Sequence, residues 1–564
     1  MCPQRVGCRS VAAVRVFGPD FTFAYDDWLV HPAGLGTLPA DRHGERVAVV
    51  GAGIAGLVAA FELARLGAHP VVYEADRIGG RLRSALFRPH PGGGVDPVVA
   101  ELGGMRFPTS GTAFYHYVDA CGLDVRPFPN PLTDAAPTTV IELAGRSHFA
   151  QTLDDLPELF HEVAHAWDEA LRAHASYDEI RDAMASRDPR AVKEIWNPIV
   201  AAWDDRTFYD FVATSDSFSR LPYRHREVFG QVGFGTGGWD SDYSNSMLEI
   251  LRVVLSSFED DQQFIVGGAE LLPRMLWQRP FDDPVHHPIG TTLADLHPGG
   301  SPRPGVAAIA RDGDRIEVTD RWEQSESFDA VLVTGQSWLL TTNITADEDL
   351  FSDELWMALD RTRYMQSSKT FVMVDRPFWN DIDAATGRPT MSMTLTDRNT
   401  RGTYLFDHGP DQPGVICLSY AWMSDALKVL PKSARERAEL AITTLEKIYP
   451  GAELRQHVIG EPITVSWEAD PNFLGAFKGA LPGHYRYNHR MYAHFLQRGL
   501  APEQRGIFLA GDDVSWTPGW AEGAVQTALN AVTGIVAHLG GSAHADNPGP
   551  IEAWDQHGPV DLGP

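Results

Sequence analysis

The segment RVAVVGAGIAGLVAAFELARLGAHPVVYE, residues 46–74, decides the fold. Its first five residues (46–50) predict a buried strand, a glycine-rich turn follows, and LVAAFELARLG (57–67) has the apolar pattern of a helix. A second strand ends at Glu74, so the segment predicts a β-α-β unit within about 30 residues. Units of this kind build Rossmann-type domains.

The glycines of this segment, Gly51, Gly53 and Gly56, form the pattern GxGxxG between strand and helix. Gly51 permits a tight turn, Gly53 lets the backbone approach a pyrophosphate, and Gly56 lets helix and strand pack closely. The helix N-terminus offers N–H groups and a partial positive charge to the phosphates. Glu74 can accept hydrogen bonds from ribose hydroxyls. The order of strand, helix, strand and acid predicts dinucleotide binding, which GxGxxG alone would not.

Apolar runs elsewhere in the chain extend this domain. FDAVLVTGQ (328–336) and GIFLAGDD (506–513) read as buried strands of a parallel sheet, whereas residues 155–230 have helical periodicity. We therefore predict an α/β fold with a discontinuous Rossmann-type domain, a mixed-sheet substrate domain and a helical insert. The expected boundaries are 1–110, 256–336 and 501–564 for the cofactor domain, 111–154 and 337–500 for the substrate domain, and 155–255 for the helical domain.

Composition narrows the function. The net charge of -28, from 47 Lys+Arg against 75 Asp+Glu, disfavours nucleic-acid binding and weakly attracts a cationic small molecule, although it can serve solubility alone. The four cysteines, Cys2, Cys8, Cys121 and Cys417, suggest neither a zinc site nor a disulfide framework and suit a reducing cytoplasm. Without a run of about 20 apolar residues, no membrane span is expected.

Three further motifs bear on which dinucleotide is bound: Gly79-Gly80-Arg81, ELGGMRFP (101–108) and Gly511-Asp512-Asp513. With these motifs the chain resembles the flavin amine oxidases. The resemblance implies FAD, with Arg81 at the pyrophosphate, Asp512 accepting a hydrogen bond from the ribityl chain, and a helix that begins at Ala521 directed at the flavin. It implies these FAD contacts: Gly51, Gly53, Ala55, Gly56, Glu74, Gly80, Arg81, Gly104, Met105, Arg106, Asp512, Trp520 and Ala521. Because no cysteine follows Cys417, the FAD is expected to be non-covalent.

A closer resemblance extends over residues 17–560. GDDVSWTPGWAEGAVQTALNAV (511–532), AELGGMRFP (100–108) and RTRYMQSSKTFVMVDRPFW (361–379) are similar to the bacterial amino-acid 2-monooxygenases and oxidases, most of all to the L-lysine 2-monooxygenases. These enzymes act on lysine, arginine, phenylalanine or tryptophan. The resemblance implies a homo-oligomer that uses dioxygen to convert a basic L-amino acid, L-lysine by preference, to 5-aminopentanamide, carbon dioxide and water.

The amino-acid end of such a site needs particular groups. A carboxylate is best bound by a planar, always charged, bidentate donor, and Arg106 matches the carboxylate-binding arginine of the family. Tyr420 matches the tyrosine that gives a second hydrogen bond. Lys369 matches the catalytic lysine placed near flavin N5 through a water, where a cation favours the reaction with dioxygen. Aromatic walls exclude water and orient the substrate. The residues predicted for that wall are Trp422, Phe477 and Trp520, the last also catalytic.

The far end of the pocket should hold an acid, because a buried unpaired cation is costly. Asp242 is our candidate, with Asp240 and Glu259 as alternatives. Phe258 stands where the lysine enzymes have a cysteine, which would reshape the pocket and leaves lysine against arginine open. Plainer structural roles compete with these assignments: an ion pair for Arg106, core packing for Tyr420 and the aromatic wall, solvent exposure for Lys369, and backbone caps for Asp242 and Asp512.

Other functions compete with this hypothesis. L-Arginine would give 4-guanidinobutanamide, and an L-amino-acid oxidase would release a keto acid, ammonia and hydrogen peroxide. A non-enzymatic FAD-binding module is a further class, disfavoured by Arg106, Lys369 and the aromatic wall together. The sequence His161-Glu162-Val-Ala-His165 matches HExxH, the helical signature of zinc peptidases, but no third ligand is evident.

Overall fold

A five-stranded parallel sheet forms the centre of the molecule. The computed structural model describes residues 17–87, 98–232, 244–281 and 286–563. Each neighbouring pair of strands in this sheet is parallel. In spatial order its strands are Arg303–Pro304, His69–Glu74, Arg46–Val50, Ala330–Val333 and Ile507–Leu509. The sheet therefore draws strands from distant parts of the chain, as expected of a discontinuous Rossmann-type domain.

Two helices lie side by side against this sheet, Ile54–Arg65 and Ala521–His538. The first follows the turn at Gly51, whose φ of 110° is a conformation that L side chains rarely adopt. At Gly56 a Cβ would lie 2.0 Å from the carbonyl oxygen of Gly51. The helix can thus approach the strand only because residue 56 has no side chain, as the glycine pattern predicts.

A seven-stranded mixed sheet forms the second unit. Only its pair Met393–Thr396 with Thr139–Leu143 is parallel. Strand Ser367–Val374 is buried at every position, between two antiparallel neighbours. In spatial order the strands are Val458–Ser466, Ser367–Val374, Gly414–Trp422, Gly402–Phe406, Met393–Thr396, Thr139–Leu143 and Arg146–Ala150. This sheet confirms the mixed-sheet unit of the predicted fold.

A helical layer packs beside the two sheets. Apolar side chains at helical spacing in its first helix and just before it, Leu156, Phe160, Val163, Trp167 and Leu171, are all buried. Its helices are Glu158–Ala175, Tyr177–Ala185, Pro189–Trp203, Phe208–Thr214, Asp216–Ser219, Tyr223–Val232 and Met247–Leu255. The three units together confirm the α/β class with a helical insert.

A smaller sheet and several short elements complete the chain. The smaller sheet contains Ser325–Phe328, Arg315–Asp320, Val306–Asp312 and Thr345–Ala346. The other strands are Ser84–Leu86, Val99–Glu101, Phe107–Pro108, Val125–Pro127, Gln262–Ile265, Tyr364–Met365 and Phe477–Lys478. The other helices are Tyr25–Leu29, Thr112–Ala120, Leu271–Gln278, Leu339–Thr342, Asp353–Arg361, Met423–Val429, Ala434–Ile448, Leu454–His457, Tyr485–Ala493 and Pro550–His557. Among the helices described, none combines the length and apolarity that a membrane crossing requires.

The segment before the first strand belongs to the core. Phe21 packs against Tyr492 and Trp554 near the other end of the chain. Asp20 forms a bidentate ion pair with Arg252, and their side chains are 1% and 2% exposed. This pair ties the first described residues to the helical layer.

Candidate active site

A cavity of about 740 Å³ begins at the N-termini of the two central helices. The Ile54–Arg65 helix has Gly53 at its N-cap and the Ala521–His538 helix has Trp520, and no side chain caps either end. The first N–H groups of an uncapped helix have no intrahelical partner and attract anions. The residues of these two helix ends that line the cavity are Gly53, Ile54, Ala55, Trp520, Ala521 and Ala524.

Glu74 lines one end of the cavity. One of its carboxylate oxygens accepts a hydrogen bond of 2.8 Å from the N–H of Ala52, and the other accepts one of 2.8 Å from Asp76. Burial raises the pKa of Glu74, and these backbone bonds lower it. A carboxylate offers about four acceptor sites, so the backbone bonds leave capacity for a ribose hydroxyl. The position and chemistry suit the ribose contact predicted from the sequence.

Arg81 and Asp512 form an ion pair on the cavity wall. One guanidinium nitrogen of Arg81 also donates to the carbonyl oxygen of Ala476, at 2.9 Å. Gln336 lines the same wall, and its buried Oε1 has no hydrogen bond from the described residues. A charged donor and a carboxylate acceptor beside two helix N-termini fit a pyrophosphate and its polyol chain. The cavity thus fits FAD.

Most of the predicted site residues lie on the wall of this one cavity. Those brought together there are Gly51, Gly53, Ala55, Glu74, Gly80, Arg81, Gly104, Met105, Arg106, Lys369, Tyr420, Trp422, Phe477, Asp512, Trp520 and Ala521. Gly56 acts behind the wall, where the helix meets the strand. Their roles toward FAD and substrate stay predictions.

Arg106 presents a positive charge on the wall of the cavity. Its guanidinium donates to Asn130 Oδ1 at 3.3 Å and to the Tyr404 hydroxyl at 3.5 Å, and it lies over the ring of Phe128. Within the described residues no carboxylate lies at ion-pair distance from it. A guanidinium held only by neutral groups can take a carboxylate in the bidentate geometry that arginine favours. The competing role as one half of an ion pair therefore gains no support from the described part of the chain.

Lys369 lies on strand Ser367–Val374, opposite Tyr420 of the neighbouring strand. It is 3% exposed, so it is not a solvent-facing lysine. Its Nζ donates to the carbonyl oxygens of Glu101 and Gly103 and lies 4.9 Å from the centre of the Tyr420 ring. Burial lowers the pKa of Lys369 to about 8, and Cys417 and Glu101 oppose this shift. The strand thus holds a buried lysine with a lowered pKa against the cavity.

The aromatic residues form a continuous wall. Tyr420 and Trp422 are two residues apart on one strand and so share a face. Their rings meet edge to face at 5.3 Å, and Trp422 meets Phe477 at 5.6 Å. Phe258, predicted to shape the pocket, is buried and packs edge to face against Trp520 at 5.2 Å, but it is not among the lining residues. It therefore supports the wall from behind.

The acids predicted for the far end of the pocket have different outcomes. Asp242 and Asp240 lie outside the described residues, so that prediction stays as it was. Glu259 lines the cavity, and burial raises its pKa to about 7, with Arg106 acting to lower it. This electrostatic contact places Glu259 at the same end of the site as the candidate carboxylate-binding arginine.

Two buried charged residues of the wall escaped the sequence analysis, Glu249 and Lys478. Both are buried, and burial raises the pKa of Glu249 and lowers that of Lys478 to about 8. Each stands in an otherwise mostly apolar run, MLEILRVVL (247–255) and GAFKGAL (475–481). A charge that interrupts such a run is the signal that could have identified them, since isolated buried charges are rare.

The HExxH motif lies on the exterior part of helix Glu158–Ala175. The ring of His161 is hydrogen-bonded to the carbonyl oxygen of Leu156, and Glu162 pairs with His225 at 2.7 Å. The side chain of His165 is 81% exposed. In the described parts of the chain no three His, Cys, Asp or Glu residues are grouped to hold a metal ion. The motif therefore reads as a surface pattern of an amphipathic helix.

Comparison with known sequences places these features in context. Residues 54–536 match the family described as flavin containing amine oxidoreductase. Over 548 residues the chain is 30% identical to the tryptophan 2-monooxygenase of Pantoea agglomerans pv. gypsophilae, covering 91% of this chain and 92% of that protein. It is 30% identical over 552 residues to that of Pseudomonas savastanoi, covering 91% and 93%. An L-amino-acid oxidase of Siganus canaliculatus is 24% identical over 515 residues, covering 88% and 86%.

Solved structures share the fold. Cyclohexylamine oxidase from Brevibacterium oxydans IH-35A superposes with a TM-score of 0.62 at 18% identity, covering 88% of this chain and all of that one. Wild-type putrescine oxidase bound to putrescine gives 0.62 at 16% identity, covering 87% and 99%. At these identities the likeness extends to the fold alone.

Proposed function

The chain belongs to the flavin containing amine oxidoreductase family, and we propose that within it the chain is an L-amino-acid 2-monooxygenase that acts on a basic substrate, with L-lysine favoured. The amino-acid 2-monooxygenase or oxidase class follows from the relatives, which are named tryptophan 2-monooxygenases and an L-amino-acid oxidase. The preference for a basic amino acid is our own proposal.

FAD is the cofactor, held non-covalently as is typical of this group. Two uncapped helix N-termini, Glu74 and the Arg81–Asp512 pair are the groups of this chain that would hold it. When bound, FAD supplies the two-electron acceptor for the amino acid and, once reduced, the reductant for dioxygen.

The protein's own residues prepare the substrate. Arg106 would bind the α-carboxylate, with Tyr420 as a second donor, and so fix the α-carbon relative to the cofactor. The contacts among Tyr420, Trp422 and Phe477 provide an apolar wall that excludes water. Lys369, held by two carbonyl oxygens, keeps a titratable cation beside this wall. Such a cation stabilises the negative charge that develops as dioxygen is reduced.

The proposed reaction converts L-lysine and dioxygen to 5-aminopentanamide, carbon dioxide and water. Two electrons leave the Cα–H and amine to give the imino acid, and one oxygen atom adds at the α-carbon. The bond to the carboxyl carbon breaks, which releases carbon dioxide, and the second oxygen atom leaves as water. A sealed cavity favours this route, because escape of the imino acid would lead to hydrolysis and the oxidase products.

The observation that carries the proposal is Arg106. A guanidinium with no carboxylate at ion-pair distance in the described chain faces a cavity that fits FAD and is walled by aromatic rings. Acids on the same wall favour a cationic side chain, because they would pair with it. Apart from Glu74 and Asp512, which are assigned to FAD, the acids of the wall are Asp134, Glu249, Glu259, Asp260 and Asp261.

An oxygen-consumption screen over the twenty amino acids and ornithine tests the proposal. We expect the highest kcat/KM with L-lysine and a product with the mass of 5-aminopentanamide, with one carbon dioxide formed per dioxygen. Stoichiometric ammonia without carbon dioxide would favour the oxidase, and 4-guanidinobutanamide as the main product would favour L-arginine. Protein that shows no absorbance near about 450 nm after FAD is supplied would contradict the cofactor.

Tryptophan is the second candidate substrate, because the relatives at 30% identity are named tryptophan 2-monooxygenases. The acids on the wall argue against it, since an indole has no charge to pair with them.

We further propose that the protein is a cytoplasmic homo-oligomer. The two described cysteines, Cys121 and Cys417, are both free thiols, which is in keeping with a reducing compartment.

A further inference from the structure

Arg106 is connected to the protein behind it by a chain of two side-chain amides, those of Asn130 and Gln262. The guanidinium donates to Asn130 Oδ1 at 3.3 Å, and Asn130 Nδ2 donates to Gln262 Oε1 at 2.8 Å. Gln262 Nε2 in turn donates to the backbone carbonyl oxygen of Phe258 at 2.6 Å. Arg106, Asn130 and Gln262 all line the cavity, and Gln262 is only 6% exposed. Both polar atoms of each amide therefore have a partner along this chain.

The two ends of the chain fix the direction of both amides. A guanidinium can only donate hydrogen bonds, and a backbone carbonyl oxygen can only accept them. Asn130 must therefore direct its oxygen at Arg106, which leaves its nitrogen for Gln262. Gln262 must likewise direct its nitrogen at Phe258, because with either amide reversed two donors or two acceptors would face each other. The chain thus presents to Arg106 an acceptor that cannot turn away.

One small sheet brings these residues together. Its strands, in spatial order, are Phe107–Pro108, Gln262–Ile265 and Val125–Pro127. Arg106 directly precedes the first strand, Asn130 follows the third by three residues, and Gln262 begins the strand between them. The hydroxyl of Thr133 donates to the backbone carbonyl oxygen of Asn130 at 2.8 Å and so fixes the turn that carries the amide. The guanidinium is therefore held by backbone on both sides of it.

The acceptor that orients Arg106 is neutral, and this matters for the charge of the site. A carboxylate at position 130 would pair with the guanidinium and repel a second carboxylate that approached it. An amide oxygen orients the same group without neutralising it. We propose that Asn130 and Gln262 are positioning residues, which hold Arg106 for the α-carboxylate of the amino acid and leave its charge available. This inference rests on the proposed function, because it takes Arg106 as the carboxylate-binding residue.

Two ligands that differ at the carboxyl end test the assignment, 6-aminohexanoate and its neutral amide, 6-aminohexanamide. The acid is lysine without its α-amino group, so it has no α-amine for the cofactor to oxidise. Spectral titration of the oxidised, FAD-loaded protein gives the affinity for each ligand without turnover. We expect wild type to bind the acid about 100-fold more tightly than the amide, as for a desolvated charge pair.

Variants of Asn130 should change this preference and little else. N130D should remove nearly all of the about 100-fold ratio, because the introduced carboxylate pairs with Arg106. N130A should lower the ratio about 10-fold, since the guanidinium loses an oriented acceptor but keeps its charge. Affinity for the amide and thermal unfolding should stay near wild type in both variants. A loss of affinity for both ligands together would mean that Asn130 is only structural, which overturns the proposal.

Two further variants separate the chain from the general charge of the wall. Q262L interrupts the chain one step away from Arg106 and should lower the ratio about 5-fold. N343D is the matched control, since it adds the same charge to the cavity wall where Asn343 donates to the carbonyl oxygen of Pro471 at 2.8 Å. It should leave the ratio near the wild-type value, and a loss equal to that in N130D would overturn the proposal.

The outcomes distinguish this inference from the function on which it rests. If wild type prefers the acid and R106A removes that preference, Arg106 binds the carboxylate. A ratio that then stays at the wild-type value in both N130D and N130A overturns the positioning role alone. Wild type that binds the acid and the amide equally contradicts the carboxylate-binding role of Arg106 and with it the proposed function.

Discussion

At the scale of single residues, the site is defined by how each buried charge is satisfied. The hydrogen bonds of Arg106 go to the neutral side chains of Asn130 and Tyr404, whereas Lys369 is anchored by two backbone carbonyl oxygens. The first arrangement leaves the guanidinium open to a carboxylate, and the second fixes an ammonium group in place. The two arrangements support the separate roles that we propose for these cations, one in substrate binding and one in the reaction with dioxygen.

Removal of the Arg106 guanidinium should weaken binding of the amino acid. We expect R106A to raise KM for L-lysine about 100-fold, as is usual when one partner of a desolvated charge pair is removed. R106K should recover only part of this loss, because an ammonium group cannot bind a carboxylate in the bidentate way. Anaerobic titration of the flavin spectrum with lysine would measure the affinity directly. R190A, at an arginine whose side chain is 89% exposed, is the control, and unchanged affinity in R106A would contradict the carboxylate assignment.

Lys369 should control the reaction with dioxygen and its pH dependence. Burial lowers the pKa of Lys369 to about 8, so its positive charge is present below that pH and is lost above it. We expect the wild-type rate of reoxidation by dioxygen to fall as pH rises through about 8. K369M should lower that rate at neutral pH by about 100-fold and remove the pH step. Stopped-flow reoxidation measures this, and anaerobic reduction by lysine serves as the internal control. If the fall in rate near pH 8 persists in K369M, that fall must come from the titration of another group.

At the scale of elements, the sequence predicts those parts whose geometry is local. Gly51 and Gly56 identify a turn and a close helix–strand contact because their roles depend on neighbours within six residues. Phe258 could not be placed in this way, since its side chain faces Trp520 only after distant segments meet. Glu249 was missed because a charged residue in a helix is usually exposed, and only the packing around it shows that it is buried.

The contact between helix Ile54–Arg65 and strand Arg46–Val50 should be intolerant of any side chain at position 56. A Cβ there would lie 2.0 Å from the Gly51 carbonyl oxygen, so G56A must displace the helix whose N-terminus lines the cavity. We expect about 1–3 kcal/mol of lost stability and weaker FAD binding. Gly18 has open space around its Cβ position, so G18A should change stability by less than about 0.5 kcal/mol. FAD fluorescence quenching gives the affinity, and equal affinity in both variants would contradict this account of the helix.

At the scale of the whole molecule, the cofactor cavity is assembled from segments far apart in sequence. The central sheet combines strands from residues 46–74, 303–333 and 507–509, and the mixed sheet and the helical layer lie between them in the chain. Apolar runs at both ends predict this arrangement, because buried parallel strands have a recognisable composition. Pairings such as Asp20 with Arg252 depend on the final packing and leave no local signal.

The Asp20–Arg252 pair should be important for the stability of the assembled chain. Arg252 is 2% exposed and lies over the rings of Trp196 and Trp516, so it cannot reach water if Asp20 is removed. We expect D20A to cost about 3–5 kcal/mol in the free energy of unfolding, because it leaves a buried charge without its partner. The double variant D20A/R252M removes both charges and should recover much of that loss.

Denaturant unfolding of the FAD-loaded protein measures these differences, with E461A as the control. Glu461 pairs with Arg435 at the surface, where both side chains are more than 70% exposed. Such exposed pairs contribute about 0–1 kcal/mol. If D20A loses no more free energy of unfolding than E461A, Arg252 finds another acceptor. If the double variant is as unstable as D20A, packing of the arginine stem matters more than its charge. We expect a much lower free energy of unfolding for D20A than for the double variant. That order would assign the loss to the unpaired charge of Arg252, whose pair with Asp20 joins the first described residues to the helical layer.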